Sequence, residues 1–127
     1  MNPLVDLPRL IKEHTFLGEK LSGVFTYIPA EATFPYVTLE LQETKKNHTC
    51  EVSKLAVRIW SAYKGGQEVN ELESNLSNLF DQVSEKTDFK TTMKRQKSEL
   101  VIDPSQIRHV LMTYTLFSAK HAQEEEA

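Results

Sequence analysis

The stretch Glu51-Val-Ser-Lys-Leu-Ala-Val-Arg-Ile-Trp-Ser-Ala-Tyr63 alternates between apolar and mixed positions. The odd positions Leu55, Val57 and Ile59 are aliphatic. The even positions form a mixed set, namely Lys54, Ala56, Arg58 and Trp60. Because side chains of a β-strand point alternately to its two faces, this period of two predicts a long strand with one apolar face and one mixed face.

An amphipathic helix is predicted directly after this strand. Gly65 and Gly66 favour a turn over continuation of the strand. Beyond them, apolar residues recur in steps of three and four, namely Val69, Leu72, Leu76, Leu79, Phe80 and Val83. The polar residues between them are expected to face water. A strand with one apolar face and a helix with one apolar stripe are expected to pack together as a core without catalytic groups.

Upstream of this unit the sequence predicts a short helix and a short strand. Two helix starts are plausible, at Asn2-Pro3 and at Asp6-Leu7-Pro8. Apolar residues then lie at helical spacing, namely Leu7, Leu10 and Ile11, and the helix should end before Gly18. His14 continues the same stripe and is interpreted as a packing residue. Residues 23–28 are predicted to form a short strand that Pro29 ends, and residues 29–35 an irregular loop.

The first long strand is predicted at Tyr36 to Glu43, where Val37, Leu39 and Leu41 share one side. The polar residues 44–48 then form the tip of an antiparallel hairpin with the central strand. Downstream of the helix, residues 89–102 indicate an exposed strand or a partly mobile arm. Asp103-Pro104 favours a type I turn.

A final strand is predicted at Ile107 to Phe117, with Val110, Met112, Tyr114 and Leu116 on one face. Short links make the strands antiparallel, and both helices need a covered side. The simplest fold is therefore α+β: one antiparallel (mixed) sheet with a long hairpin and two helices on one face. Residues 1–120 are expected to form a single domain, and 121–127 a disordered acidic tail.

Composition excludes several classes of protein. The 127 residues are 39% hydrophobic and 26% charged, and no apolar run approaches the roughly 20 residues that a membrane helix needs. Charged residues interrupt the N-terminus, so no signal peptide is expected. Glu124, Glu125 and Glu126 supply three of the 18 acidic residues, and the remaining 15 equal the lysines and arginines in number. A nearly neutral body argues against a dedicated nucleic-acid binder.

Catalytic and metal-binding chemistry finds little support in the residues. Cys50, the only cysteine, follows His48 by two positions, but a free cysteine near a sheet edge beside a loop histidine is the simpler interpretation. The four histidines are far apart in sequence, without the spacing of metal ligands. We therefore expect no enzyme activity, no cofactor and no metal site.

Basic residues and one tryptophan are the candidates for contacts. The basic candidates lie at the hairpin tip and on the penultimate strand, namely Lys45, Lys46, Lys94, Arg95 and Lys97. They either protect exposed strands from aggregation or contact a partner or the DNA backbone. Arg58 and Trp60 lie on the mixed face of the central strand, where Trp60 has no obvious core partner. This position suggests that another subunit covers the second face of the sheet.

Three segments together resemble a known family. They are Phe34-Pro-Tyr-Val-Thr-Leu-Glu-Leu41, then Leu55-Ala-Val-Arg-Ile-Trp-Ser-Ala-Tyr63 with Gly66-Gln-Glu-Val-Asn-Glu-Leu72, and Val101-Ile-Asp-Pro-Ser-Gln-Ile-Arg-His-Val-Leu-Met-Thr-Tyr114. This ordered combination resembles the tail-terminator (tail completion, or tail-to-head joining) proteins of long-tailed phages over residues 5–118. The sequence departs from that pattern most in residues 89–99 and in the glutamate-rich tail.

The resemblance implies a structural protein of the virion, encoded by a phage or a prophage. Such proteins form a hexameric ring that ends polymerisation of the tail tube and joins tail to head. The implied partners are copies of the chain, the tail tube protein and the head-completion or connector protein, with no membrane partner. DNA would pass through the ring without specific binding, and the basic candidates would face the lumen or a partner. The alternative function is a small nucleic-acid-binding module that uses the exposed basic hairpins.

Overall fold

The fold is a five-stranded sheet with helices against it, described by a computed structural model. The model describes residues 3–27, 29, 31, 33–46, 50–61, 67–85, 91–102 and 108–119. The elements in chain order are α1 (Pro3–Glu13), α2 (Thr15–Lys20), β1 (Val24–Phe25), β2 (Tyr36–Lys46), β3 (Cys50–Ser61), α3 (Gln67–Glu85), β4 (Thr91–Ile102) and β5 (Arg108–Ala119). The predicted α+β class is confirmed.

The strands lie in the order β1-β2-β3-β5-β4, which places β3 at the centre. β3 is antiparallel to β2 on one side and to β5 on the other, and β4 is antiparallel to β5. β1 is parallel to β2, with Val24 opposite Val37, so the expectation that short links make every pair antiparallel was wrong here. The link between β1 and β2 is longer than a hairpin turn, which lets the chain return to the same end of the sheet before β2 begins.

The predicted helix stripe is confirmed in full. All six apolar residues of α3 from Val69 to Val83 are buried. They join Leu55, Val57 and Ile59 of β3 in one hydrophobic cluster, which also contains Leu7, Ile11 and Leu17 from the first two helices. At the start of α3, Ser61 Oγ donates a hydrogen bond to Glu68 Oε1 at 2.7 Å. The helix is therefore fixed to the end of β3 as well as packed upon it.

The N-terminal helical region extends further than the sequence predicted. α1 ends at Glu13, and a second helix, α2, starts at once and continues through Gly18. His14 separates the two, and its Nδ1 accepts a hydrogen bond from the backbone N–H of Leu17 at 3.2 Å. The predicted packing residue is thus an N-cap, and the described chain has three helices where two were expected. Glycine suits position 18 because a Cβ there would collide with the carbonyl oxygen of Lys12.

Residues 91–102 form an ordered edge strand of the sheet, which settles the alternative between a strand and a mobile arm. The turns predicted at residues 64–66 and 103–106, and the tail 121–127, lie outside the described residues. Residues 44–46, predicted as part of the hairpin tip, belong to β2, because they continue its pairing with β3. Residues 47–49, including His48, lie outside the described residues. No helix in the described ranges is long and apolar enough to cross a membrane.

Leu72→Ala tests the packing of α3 on the sheet. The side chain is 1% exposed, and its truncation should lower the free energy of unfolding by about 2–5 kcal/mol, as for other buried leucines. Chemical denaturation measures the change. Asn78→Ala on the exposed side of α3 is the matched control and should change it by less than about 0.5 kcal/mol. A loss for Leu72→Ala no larger than that of the control would contradict this packing.

Through Tyr114, the stability of the folded protein is expected to depend on pH in the alkaline range. Its ring meets Phe80 edge to face at 5.0 Å, and its hydroxyl makes no hydrogen bond of ordinary geometry within the described residues. Burial raises the pKa of Tyr114 above its ordinary value of 10.0, while Ser77 and Arg95 lower it by smaller amounts.

Because the pKa of Tyr114 is higher in the folded protein, the unfolded chain loses this proton first as the pH rises. Stability should therefore be complete below about pH 10 and should fall as the pH rises towards the folded pKa. Tyr114→Phe removes the titrating group, so this variant should lose less stability than the wild type when unfolding is measured from neutral to alkaline pH. Tyr27→Phe, at a side chain that is 65% exposed, is the matched control. An equal alkaline loss in wild type and Tyr114→Phe would refute this origin.

Candidate interaction surface

The sheet has one face without a helix, which we call the open face. The helices pack on the side of Leu55, Val57 and Ile59, and no described element covers the side of Trp60. The register of the strands places the open-face residues in cross-strand rows. From one end to the other the rows are Tyr36–Trp60–His109–Val101, Thr38–Arg58–Leu111–Glu99, Glu40–Ala56–Thr113–Lys97, Glu43–Lys54–Thr115–Lys94 and Lys45–Val52–Phe117–Thr92.

The first row is a stack of aromatic rings, which we call the aromatic row: Tyr36, Trp60 and His109. Trp60 lies nearly parallel to Tyr36, with ring centroids 5.9 Å apart and planes at 16°. On its other side it contacts His109, with centroids 4.3 Å apart. Phe34 stacks on Tyr36 at 5.4 Å, and Phe25 meets it edge to face at 5.8 Å. Tyr36 is only 6% exposed, and burial raises its pKa.

Trp60 is held in place by a hydrogen bond as well as by stacking. Its Nε1–H donates to Thr38 Oγ1 at 3.0 Å, and Thr38 is only 4% exposed. Trp60 does not belong to the core cluster on the helix side, and its ring partners lie within its own face. It remains half-buried, so part of its ring still faces outwards.

The middle of the open face carries ion pairs across and along the strands. Arg58 pairs with Glu40 at 3.4 Å, and Lys97 with Glu99 at 3.5 Å. Glu43 lies between Lys45 and Lys54, at 3.3 and 3.4 Å, and these two lysines lower the pKa of Glu43. Most of these side chains are solvent-exposed, so each pair contributes little to stability. The ion pairs hold these side chains close to one another, and most of the charged groups remain exposed and available to another molecule.

The basic candidates on the penultimate strand do not lie together. A register shift between Arg95 and Lys97 adds one residue to β4. Lys94 and Lys97 therefore both lie on the open face, opposite Thr115 and Thr113, whereas Arg95 lies opposite the buried Tyr114 on the helix side. Strict alternation along the strand would place Arg95 and Lys97 on the same side, so the register shift separates them.

The hairpin lysines are separated as well. Lys45 lies opposite Val52 on the open face, while Lys46 lies opposite Glu51 on the other side of the sheet. A second register shift, between Leu41 and Glu43, sets which of the two faces outwards. Of the five basic candidates, Lys45, Lys94 and Lys97 share the open face with Arg58 and Trp60, and Lys46 and Arg95 do not.

The residues considered for catalysis or metal binding have other positions. Cys50 is half-exposed at the start of β3, opposite Ala119 of β5. His14 caps a helix, and His109 belongs to the aromatic row. Within the part of the chain that the structure describes, no three histidine, cysteine, aspartate or glutamate residues lie together as possible metal ligands.

Thr38→Val tests the bond that holds Trp60. The change keeps the β-branched shape but leaves the indole N–H without its acceptor, so unfolding free energy should fall by about 1 kcal/mol. Chemical denaturation measures the loss, and fluorescence of the single tryptophan reports its altered environment. Thr113→Val, the same change on the same face but outside the aromatic row, should have an effect below about 0.5 kcal/mol. Equal effects at both positions would show that the bond does not contribute.

Neither a protein-family model nor a curated protein matches this chain. What the open face does must therefore be inferred from its own residues and their arrangement.

Proposed function

We propose that this chain is a structural protein of a phage or prophage particle that caps the tail tube, ends its polymerisation and forms the joint between tail and head as a ring. The observation that carries this proposal is the aromatic row. Tyr36, Trp60 and His109 come from the three separate segments that resemble tail-terminator proteins, and they stack side by side on the open face. Segments far apart in sequence thus contribute to one surface.

The character of the open face suits a contact between protein subunits. Aromatic residues and arginine are enriched in the centres of protein interfaces. Here Trp60 and Arg58 are neighbours on the open side of the central strand, and Leu111 is half-exposed next to Arg58. At the far end Phe117 is 42% exposed. A sheet with helices on one face only, and with such residues on the other, fits a subunit that completes its second layer by assembly.

The structure gives less support to the alternative of a nucleic-acid-binding module. Such a module needs a continuous basic surface along which phosphates can lie. The five basic candidates divide between the two faces of the sheet, and Lys45 and Lys97 are each paired with a glutamate. A basic set divided in this way does not form the continuous surface along which phosphates could lie.

Two substitutions on the open face test the proposed function. Trp60→Ala shortens the aromatic row, and Phe117→Glu places a charge on an exposed apolar side chain at the other end. Each should reduce the joining of tails to heads by about tenfold, equivalent to a loss of about 1.4 kcal/mol at the contact. The assay adds purified protein to tails assembled without it, counts joined particles and measures tail lengths by electron microscopy.

The control is Val5→Glu on α1, a side chain that is 61% exposed on the helix side. This variant should cap and join tails as the wild type does. Circular dichroism checks that all three variants are folded. If folded Trp60→Ala and Phe117→Glu proteins both join tails normally, the open face has no part in the joint. If the wild-type protein neither caps tubes nor joins tails, the proposed function itself is wrong.

A further inference from the structure

Charge is distributed unequally between the two sides of the molecule. α3 has five carboxylates over 19 residues and no lysine or arginine, namely Glu68, Glu71, Glu73, Asp81 and Glu85. None of them takes part in an ion pair of the described residues. The charged residues of α1 and α2 balance one another, and Arg95 faces the helix side near Glu73 and Asp81. The helix side is therefore acidic.

The acidic residues of α3 form an exposed stripe. Glu71, Asn78 and Glu85 are seven residues apart, so they lie on nearly the same side of the helix, opposite the buried stripe. Asp81 lies beside them, and all four are exposed. This acidic stripe is the part of α3 that the fold itself leaves uncovered.

The open face has the opposite sign. Its described residues include five cations, namely Lys45, Lys54, Arg58, Lys94 and Lys97. They outnumber its three carboxylates, Glu40, Glu43 and Glu99. Lys94 makes no ion pair in the described ranges, and register places it in the same row as Lys54. The excess of positive charge is concentrated in the rows beyond the aromatic row.

We propose that the acidic stripe of α3 in one copy of this chain docks on the open face of the next copy. This inference rests on the proposed ring and names the two surfaces that form it. Two open faces packed against each other would each bring an excess of positive charge to the contact, which costs energy. Docking the acidic stripe on the open face brings opposite charges together and leaves one free surface of each kind, so that copies can continue in one direction until the ring closes.

Charge reversal on each surface tests this arrangement. Lys94→Glu with Lys97→Glu makes an open-face variant, and Glu71→Lys with Glu85→Lys makes a stripe variant. All four side chains are exposed, so both variants should remain folded, which circular dichroism verifies. Sedimentation velocity at low salt should show association of the wild type that weakens as salt is added. Each variant alone should bind itself at least about tenfold more weakly than the wild type.

Mixing the two variants is the decisive measurement. The acidified open face of one then meets the basic stripe of the other, and the two unchanged surfaces match as in the wild type. The equimolar mixture, and a single chain carrying all four changes, should therefore regain association. An effect of the open-face variant without an effect of the stripe variant would indicate a two-fold contact and overturn the proposal. So would failure of the mixture to associate, or a wild type that is monomeric at every salt concentration.

These outcomes are separable from those of the proposed function. If charge reversal leaves association unchanged while Trp60→Ala still prevents joining, the ring function stands and the assignment of its contacts is wrong. If the mixture of variants associates but the wild type does not join tails, the contact is real and serves another assembly.

Discussion

The packing of α3 on the apolar side of β3 is the constraint on which the rest of the structure depends. Leu55, Val57 and Ile59 are fully buried because the stripe of α3 covers them. A strand with a period of two can bury only one of its sides under a given helix. β2 and β5 pair with the two edges of β3. The side of β3 that faces the helices therefore determines which side of the whole sheet faces them. The open face is thus a direct consequence of how the core forms.

Much of this fold follows from local patterns in the sequence. Alternation in β2, β3 and β5 and helical spacing in α3 correctly predict which apolar residues face the shared core, because both patterns report on a single element against a single core. The split between α1 and α2 is harder to predict, since His14 acts through a hydrogen bond to a backbone N–H and not through its place on the apolar stripe. The parallel pairing of β1 depends on the path of a long loop, which has no local signature.

The candidate site is predicted less completely than the fold. Trp60 and Arg58 are placed on the correct face by alternation alone. Alternation does not place the basic residues on the correct faces, because a register shift turns every following side chain to the other side of a strand. The shifts near Gln42 and Gln96 arise from pairing with a neighbouring strand. Glu43 to Lys46, after the first shift, and Lys94 to Glu99, around the second, are all polar. No apolar residue at these points reveals which side faces the core.

The aromatic row supplies Trp60 with partners from its own chain. An isolated tryptophan on an uncovered sheet demands a partner for its ring and for its indole N–H. Trp60 has both within its own chain, through Tyr36, His109 and Thr38. These contacts within the chain satisfy both the ring and the N–H of Trp60 without a contact from another molecule. What the open face still offers is a set of exposed charges and apolar side chains in fixed positions.

A contact of this composition has a consequence for how a ring would form. Exposed ion pairs and polar stripes bind weakly in solution and are screened by salt. Subunits placed side by side on the end of a tail tube would meet their neighbours at a much higher effective concentration, so that a contact that holds free copies together only at low salt would suffice to close the proposed ring. Oppositely charged surfaces also fix the direction in which copies add. In the proposed ring, physiological salt would keep free copies largely dispersed, and closure would follow where the end of a tube holds them side by side.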